Sequence, residues 1–264
     1  MYDSEKQVIT SILDYADKVQ REHLNNFIIE TKDERDVVTD IDKKIERFCI
    51  KLIKKHFPND EIISEESFNK KPLPQSGRYW VIDPLDGTWN YANDITSFAI
   101  QLAFVIDSEV TLSAINIPFG LSGREIYFAE KDSGAYLNGK RIYAKRQSRS
   151  NQTIVAVSDF SWNSNSASTE ANILNALTPK IGRIRIFGSS AVSFAYLAAG
   201  RVDAYLGFDQ KIWDIVPGLL LVQEAGCSMF GIDTFPYIIG DKNFITASKN
   251  SMIEKTLINL YKGN

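Results

Sequence analysis

The chain has 264 residues, 44% of them hydrophobic and 24% charged, enough apolar mass for a large core in one or two lobes. A net charge of -3 argues against a general nucleic-acid binder, which needs a basic surface excess. The opening "MYDSEKQVIT" lacks the basic-then-apolar pattern of a signal peptide, and no apolar segment approaches the ~20 residues of a membrane span.

Val8, Ile12, Tyr15, Ala16 and Val19 recur at helical spacing and predict an amphipathic helix over 4–28. Ile41, Ile45, Phe48 and Leu52 predict a second over roughly 40–56, ended by Pro58. "EIIS" is short and apolar, and "RYWVID" is a strand. "SFAIQLAFVID", "EVTLSAINIP", "EIYFAE" and "GAYLNGKRI" follow as strands joined by short polar turns. After about residue 148 the pattern changes. "TIVAVSD", "RIRIF" and "VDAYLGF" read as strands, alternating with helices over 168–177, 189–199 and 214–225. Two lobes, 1–148 and 149–264, sharing a cleft are the expected organisation. "SWNSNSAS" at 161–168 and "KRQSR" at 145–149 read as polar loops.

Cys49 and Cys227 lie far apart in helix-like and apolar contexts, as reduced buried thiols of a cytoplasmic protein do. His23 and His56 are isolated and there is no CxxC, so any metal here is oxygen-ligated rather than zinc. The candidate for such a site is "VIDPLDGTWNY", residues 81–91. Pro84 holds Asp83 out of the helical region, and Gly87 permits a turn other residues resist. An ordinary Asx-type turn accounts for one aspartate. Two carboxylates on a stiff bend after a buried strand suit a hard divalent cation, and N–H groups around Gly87 and Thr88 suit a phosphate.

Further acids lie elsewhere: Glu65 and Glu66 in "ISEES", Asp40 and Asp42 in "DVVTDID", and Asp214 in "KIWDIVPGLLLVQEAG". Each has a structural reading as well. Thr39 and Asp42 have capping-box spacing, Asp214 complements a helix dipole, and Glu66 fits a surface position.

Together these segments resemble the inositol monophosphatase family of magnesium-dependent, lithium-sensitive phosphatases. "DPLDGTWNY" is similar to its first signature and "WDIVPGLLLVQEAG" to its second; "EES", "VTDID" and "FGSSAVSFAYLAAGRVDAYL" match between and around them. The resemblance spans nearly the whole chain. It implies a layered α-β-α-β-α sandwich of α/β (α+β) class and commonly a homodimer. It also implies Mg²⁺, two or three ions per site: Glu65, Asp83 and the Leu85 carbonyl on the first, Asp83, Asp86 and Asp214 on the second, and a weaker third reached by Glu65 through water. The nucleophile is an activated water positioned by Glu65 and Thr88. Asp42 orients the Thr88 hydroxyl, and Gly87 and Thr88 N–H groups hold the phosphate.

Two rival motifs fail, one on spacing and the other on residue type and context. Haloacid-dehalogenase phosphatases use D-x-D-x-T, whereas Pro84 and Leu85 separate these aspartates. "GAYLNGKR" matches all but the last position of a Walker A loop, where Arg141 stands in place of Ser or Thr, and its Asn-Gly reads as a hairpin. In inositol-preferring relatives an acid lies seven residues before the second-signature aspartate. Here that position is Gly207, with Asp209 two residues on. The expectation is a broad phosphomonoesterase that accepts inositol monophosphates, with nucleotide 2′- or 3′-phosphates and sugar phosphates as competing substrates. A non-catalytic metal-binding interaction protein is the alternative of another class, and the completeness of the acid set argues against it.

Overall fold

A computed structural model describes residues 2–33, 36–68, 73–145, 149–160, 164–231 and 237–262. Helix α1 spans Asp3–Glu22, a hairpin of β1 (Ile29–Asp33) and β2 (Asp36–Thr39) follows, and α2 spans Asp40–His56. A seven-stranded sheet is then built in order from β3 (Glu61–Ser64), β4 (Arg78–Asp86), β5 (Ala99–Ile106), β6 (Glu109–Gly120), β7 (Gly123–Glu130), β8 (Gly134–Leu137) and β9 (Lys140–Arg141). The short helix α3 (Thr88–Ala92) interrupts it between β4 and β5. The remaining chain forms β10 (Ile154–Val157), α4 (Ser164–Leu177), β11 (Arg183–Ile186), α5 (Ser190–Ala198), β12 (Ala204–Gly207), α6 (Ile212–Glu224), β13 (Cys227–Gly231), β14 (Phe244–Ser248) and α7 (Met252–Lys262). Its five strands pair in the order β11-β10-β12-β14-β13.

Strand alternation stacks these elements into five layers. Trp80 and Ile82 of β4 face a core shared with Ile12 and Ala16 of α1 and with Ile41, Ile45 and Cys49 of α2. Tyr79 and Val81 face the other way, onto Phe194 of α5 and Val216 and Leu220 of α6. Ala156 and Tyr205 of the five-stranded sheet close that core from beyond the two helices. Val155, Val157 and Leu206 point outward, onto Ile173 and Leu174 of α4 and Ile253 and Leu257 of α7. The order is therefore α1α2, seven-stranded sheet, α5α6, five-stranded sheet, α4α7. Helix α5 is buried along nearly all of its length because it packs between two sheets, which is why its sequence is apolar on every side.

Some sequence expectations need correction. α1 ends at Glu22, six residues early, and Asn25 adopts φ +65° in the turn that follows. Leu24 and Phe27 still pack on the same core, so the apolar spacing continues although the helix does not. Residues 164–168 of the Ser/Asn-rich segment open α4 instead of forming a loop. Burial of Ile173, Leu174 and Leu177 further along outweighs the weak helix propensity of serine and asparagine. Residues 161–163 of that segment, and 146–148 of "KRQSR" with the expected lobe boundary, lie outside the described residues. Periodicity alone assigns nothing to the β1–β2 pair or to the chain beyond 225, which supplies β13, β14 and α7. Asn138 and Gly139 do form the β8–β9 turn, both at positive φ, so the Walker-like string is a hairpin.

One ion pair ties the seven-stranded sheet to the turn after α5. Arg201 donates from Nη1 and Nη2 to the two oxygens of Glu125 on β7 at 2.8 and 2.7 Å, and Tyr127 donates its hydroxyl to the same carboxylate at 2.8 Å. Burial acts to raise the Glu125 carboxyl, but the hydrogen bonds from Arg201 and Tyr127 outweigh it and hold the group below the usual carboxylate range. Arg201→Ala leaves a nearly buried carboxylate without its cation and is expected to cost about 2–4 kcal/mol in urea unfolding. The wild-type pair is fully effective above the unfolded carboxylate pKa and fades as pH falls through the depressed native value. Equal stability of R201A and wild type at pH 7 would remove this strut from the account.

Candidate active site

The site grows from an irregularity in β4. Asp83 pairs with Gln101 of β5, and Asp86 pairs with Ala99, so three steps on β4 match two on β5. On a regular strand positions 83 and 86 face opposite sides; the bulge at Pro84–Leu85 brings both carboxylates to one side. That is why the motif tolerates a proline within a buried strand. Strand β3 runs parallel to β4 with Ser64 beside Ile82, which sets Glu65, the next residue, at the level of Asp83. Asp214 arrives from the other half of the chain, at the third position of α6, where the Lys211 N–H donates to its Oδ2 at 2.7 Å.

Asp83, Asp86 and Asp214 each present an oxygen within 4.8 Å of the others, and Asp83 and Asp86 are buried. Burial pushes the Asp83 carboxyl well above its ordinary range, and the negative charges of Glu65, Asp86, Asp214 and Asp42 push it further. Asp86 is also raised by burial, against the opposing hydrogen bonds from α5. Those bonds are specific. Ser189 and Ser190 hydroxyls donate to Asp86, the second to Oδ1 at 3.2 Å, and the Ala191 N–H donates to Oδ2 at 2.7 Å. An acid of β4 thus caps the N-terminus of a helix a hundred residues away.

Thr88 opens α3. Its hydroxyl lies 2.9 Å from the Leu85 carbonyl and 3.1 Å from Asp42 Oδ1. Asp42 is fully buried and fixed by the capping box of α2: the Thr39 N–H donates to Oδ2 at 2.9 Å, and the Thr39 hydroxyl donates to the same oxygen. Asp42 therefore turns one oxygen to the cap of α2 and the other to the Thr88 hydroxyl. Gly87 precedes Thr88 at φ +89°, where a Cβ would stand 2.9 Å from the Ser97 carbonyl oxygen and 3.2 Å from that of Gly188. Gly87→Ala combines a left-handed backbone with that contact and is expected to lower stability by about 2 kcal/mol or more. Thermal denaturation checks it, and an unchanged midpoint would show that the turn relaxes freely.

Sequence reasoning assigned no role to several residues that hold this arrangement. Ser189, Ser190 and Ala191 are legible as a helix start but not as partners of Asp86. Asn90 donates from Nδ2 to Ser97 O at 2.6 Å and Phe187 O at 2.8 Å, tying α3 to the loop before α5. Other candidates lie apart from the three-acid group. Asp209 is exposed, 3.7 Å from Lys242 Nζ. Gly207 has no room for a side chain, because a Cβ there would meet the Phe244 ring at 2.2 Å. Cys49 and Cys227 are buried free thiols, and among the described residues the group of metal-capable side chains contains neither histidine nor cysteine. No helix among the described residues is long and apolar enough to cross a membrane.

The profile of the inositol monophosphatase family matches residues 3–262. A fructose-1,6-bisphosphatase/inositol-1-monophosphatase of Thermotoga maritima is 34% identical over 192 residues, 73% of this chain and 70% of that protein. An inositol-1-monophosphatase of Bacillus subtilis is 31% identical over 234 residues, 88% and 86% of the two chains. The solved structure of a Thermotoga maritima IMPase superposes with a TM-score of 0.85 at 29% identity, covering 100% of this chain and 98% of that one. With sequence and fold matched from end to end, the chain belongs to the inositol monophosphatase family and is, by that membership, a phosphoric monoester hydrolase.

Proposed function

We propose that this protein is a Mg²⁺-dependent phosphomonoesterase that hydrolyses inositol monophosphates together with other small phosphate monoesters. The observation that carries the reading is the convergence of Asp83, Asp86 and Asp214, oxygens within 4.8 Å, from both halves of the chain. The donors are hard oxygens, and burial together with the neighbouring acids pushes the Asp83 carboxyl well above its ordinary range, a conflict that a divalent cation relieves. In this reading Asp83, Glu65 and the Leu85 carbonyl hold one Mg²⁺; Asp83, Asp86 and Asp214 hold a second; and a weaker third is reached through Glu65. When bound, the ions supply Lewis-acid stabilisation of charge on the phosphate and acidify water at neutral pH.

The chain's own groups do the positioning. A threonine hydroxyl has one proton to donate. With that proton directed at the Asp42 carboxylate, Thr88 Oγ1 turns its lone pairs outward and accepts from the attacking water, while Glu65 orients it from the β3 side. Gly87 and Thr88 are the cap and first residue of α3, so their N–H groups precede its first internal hydrogen bond and are suited to phosphate oxygens.

Breadth of substrate is supported by Gly207. The acid that would bind a substrate hydroxyl in inositol-preferring relatives has no counterpart there, and the Phe244 ring fills the space. One fewer polar partner weakens discrimination between leaving groups. The Thermotoga maritima relative, named for both fructose bisphosphate and inositol phosphate, is consistent with this. Nucleotide 2′- or 3′-phosphates are the competing substrates. The same reading includes a homodimer, residence in the cytoplasm and inhibition by lithium. Phosphate release from inositol 1-phosphate, fructose 1,6-bisphosphate and nucleotide 3′-phosphates, with Mg²⁺ and lithium varied, tests it. Turnover of several esters that rises with Mg²⁺ and vanishes with chelator is expected. Chelator-resistant turnover would overturn the mechanism, and preference for one ester by orders of magnitude would overturn the breadth.

A further inference from the structure

The turn that carries Glu65 has no cap of its own. Residues Glu65–Ser67 form a single 3₁₀ turn, and the side chain of Ser64 before it makes no capping hydrogen bond. N–H groups at such a start need acceptors from elsewhere. Glu46 of α2 supplies them. Its Oε1 accepts from the Glu66 N–H at 3.1 Å, the Ser67 N–H at 3.1 Å and the Ser67 hydroxyl at 3.2 Å. Glu46 is 6% exposed, so these bonds are shielded from water and hold the turn firmly.

Glu46 stands one helical turn beyond Asp42, at i+4 on the same face of α2. One rigid helix face therefore holds two pieces of the site. Asp42 fixes the Thr88 hydroxyl, and Glu46 fixes the turn that sets Glu65 beside Asp83. We propose that Glu46 is a positioning residue for the Glu65 ligand arm, tuning cation affinity without touching cation or substrate. This rests on the reading above that Glu65 is a metal ligand.

Groups behind a metal ligand typically change affinity 10–100-fold when removed. Glu46→Ala frees the turn and is expected to weaken Mg²⁺ binding about tenfold, read by calorimetry and by the Mg²⁺ concentration for half-maximal phosphate release. The KM at saturating Mg²⁺ is expected to stay within about threefold, since substrate contacts are unchanged. Glu46→Gln keeps an oxygen acceptor in place and is expected to remain within about threefold of wild-type Mg²⁺ affinity. Glu46→Asp keeps the charge but draws the oxygen back by one methylene, and is expected to behave like the alanine variant. It serves in place of alanine if E46A does not fold.

Wild-type Mg²⁺ affinity in folded E46A or E46D overturns the proposal, as does equal weakening in E46Q, which would make the effect one of charge rather than position. Glu65→Ala separates the two layers of the argument. If E65A loses Mg²⁺ affinity while E46A and E46D do not, only the positioning role fails; if E65A itself binds and turns over like wild type, the reading of Glu65 fails.

Discussion

Asp83→Asn is expected to reduce phosphate release by on the order of 10³-fold while making the metal-free protein more stable. Both effects come from the same carboxyl. It is the acid proposed to be shared by two ions, so its loss removes a ligand from each. In the absence of cations it is a liability, because burial and then the charges of Glu65, Asp86, Asp214 and Asp42 oppose its ionisation. The folded protein holds this proton more tightly than the unfolded chain does. Without metal, stability therefore falls as pH rises from about 4 through the raised native value. Asparagine preserves the shape and carries no charge, so the variant is expected to gain about 1–4 kcal/mol at pH 7 in chelator. It is also expected to lose most of that pH dependence. Thermal denaturation between pH 5 and 8, with chelator and with Mg²⁺, separates the states: Mg²⁺ should stabilise wild type and leave D83N nearly unmoved. A variant that is as pH-sensitive as wild type, or that still gains stability from Mg²⁺, would dismantle the proposed cation cluster.

The second large effect concerns the polarity of one hydroxyl. Thr88→Ala is expected to lower kcat about 10²-fold with little change in KM, because it removes the acceptor that orients water and leaves the proposed phosphate-binding N–H groups intact. Asp42→Asn is expected to cost a similar factor for a different atomic reason. Thr39 donates twice to Asp42 Oδ2, so an asparagine keeps its oxygen there and turns its NH₂ toward Thr88. That amide donates to Oγ1 where the carboxylate accepted, so one of the two lone pairs is taken and the Thr88 proton is turned away from residue 42, toward the Leu85 carbonyl or the water it should accept from. Since both changes act through one hydroxyl, the double variant is expected to be no slower than the worse single one. Multiplying losses in the double variant, or a KM increase without loss of kcat, would show that Asp42 and Thr88 act separately.

Much of the architecture was legible in the residues because it depends on near neighbours. The apolar stripe of α2, its Thr39–Asp42 capping box, the Asn138–Gly139 hairpin and the alternating strands are all set within about one turn or one strand. The stretch from Asp83 to Thr88 was conspicuous for the same reason. Its aspartates, proline and glycine stand within six positions, and the family signature they form is local. Where longer-range packing takes over, local pattern misled. Leu24 and Phe27 extended the apolar spacing of α1 past its end, and α4 began within a segment whose composition suggests a loop.

What residue types alone established was a set of acids suited to a hard cation. Their convergence was decided by tertiary structure. The bulge that turns Asp83 and Asp86 to one side appears only in the register of β4 against β5. The parallel β3–β4 pairing sets Glu65 level with Asp83, and the packing of α6 brings Asp214 across from the other half of the chain. Ser189 and Ala191 gave no sign that they would bond Asp86, nor Glu46 that it would cap the turn after β3. These partners are separated by 20 to 105 positions, and a hydrogen bond between them leaves no local periodicity in either segment. It exists because sheet register and helix packing fix where the backbones lie, and only then do the side chains meet.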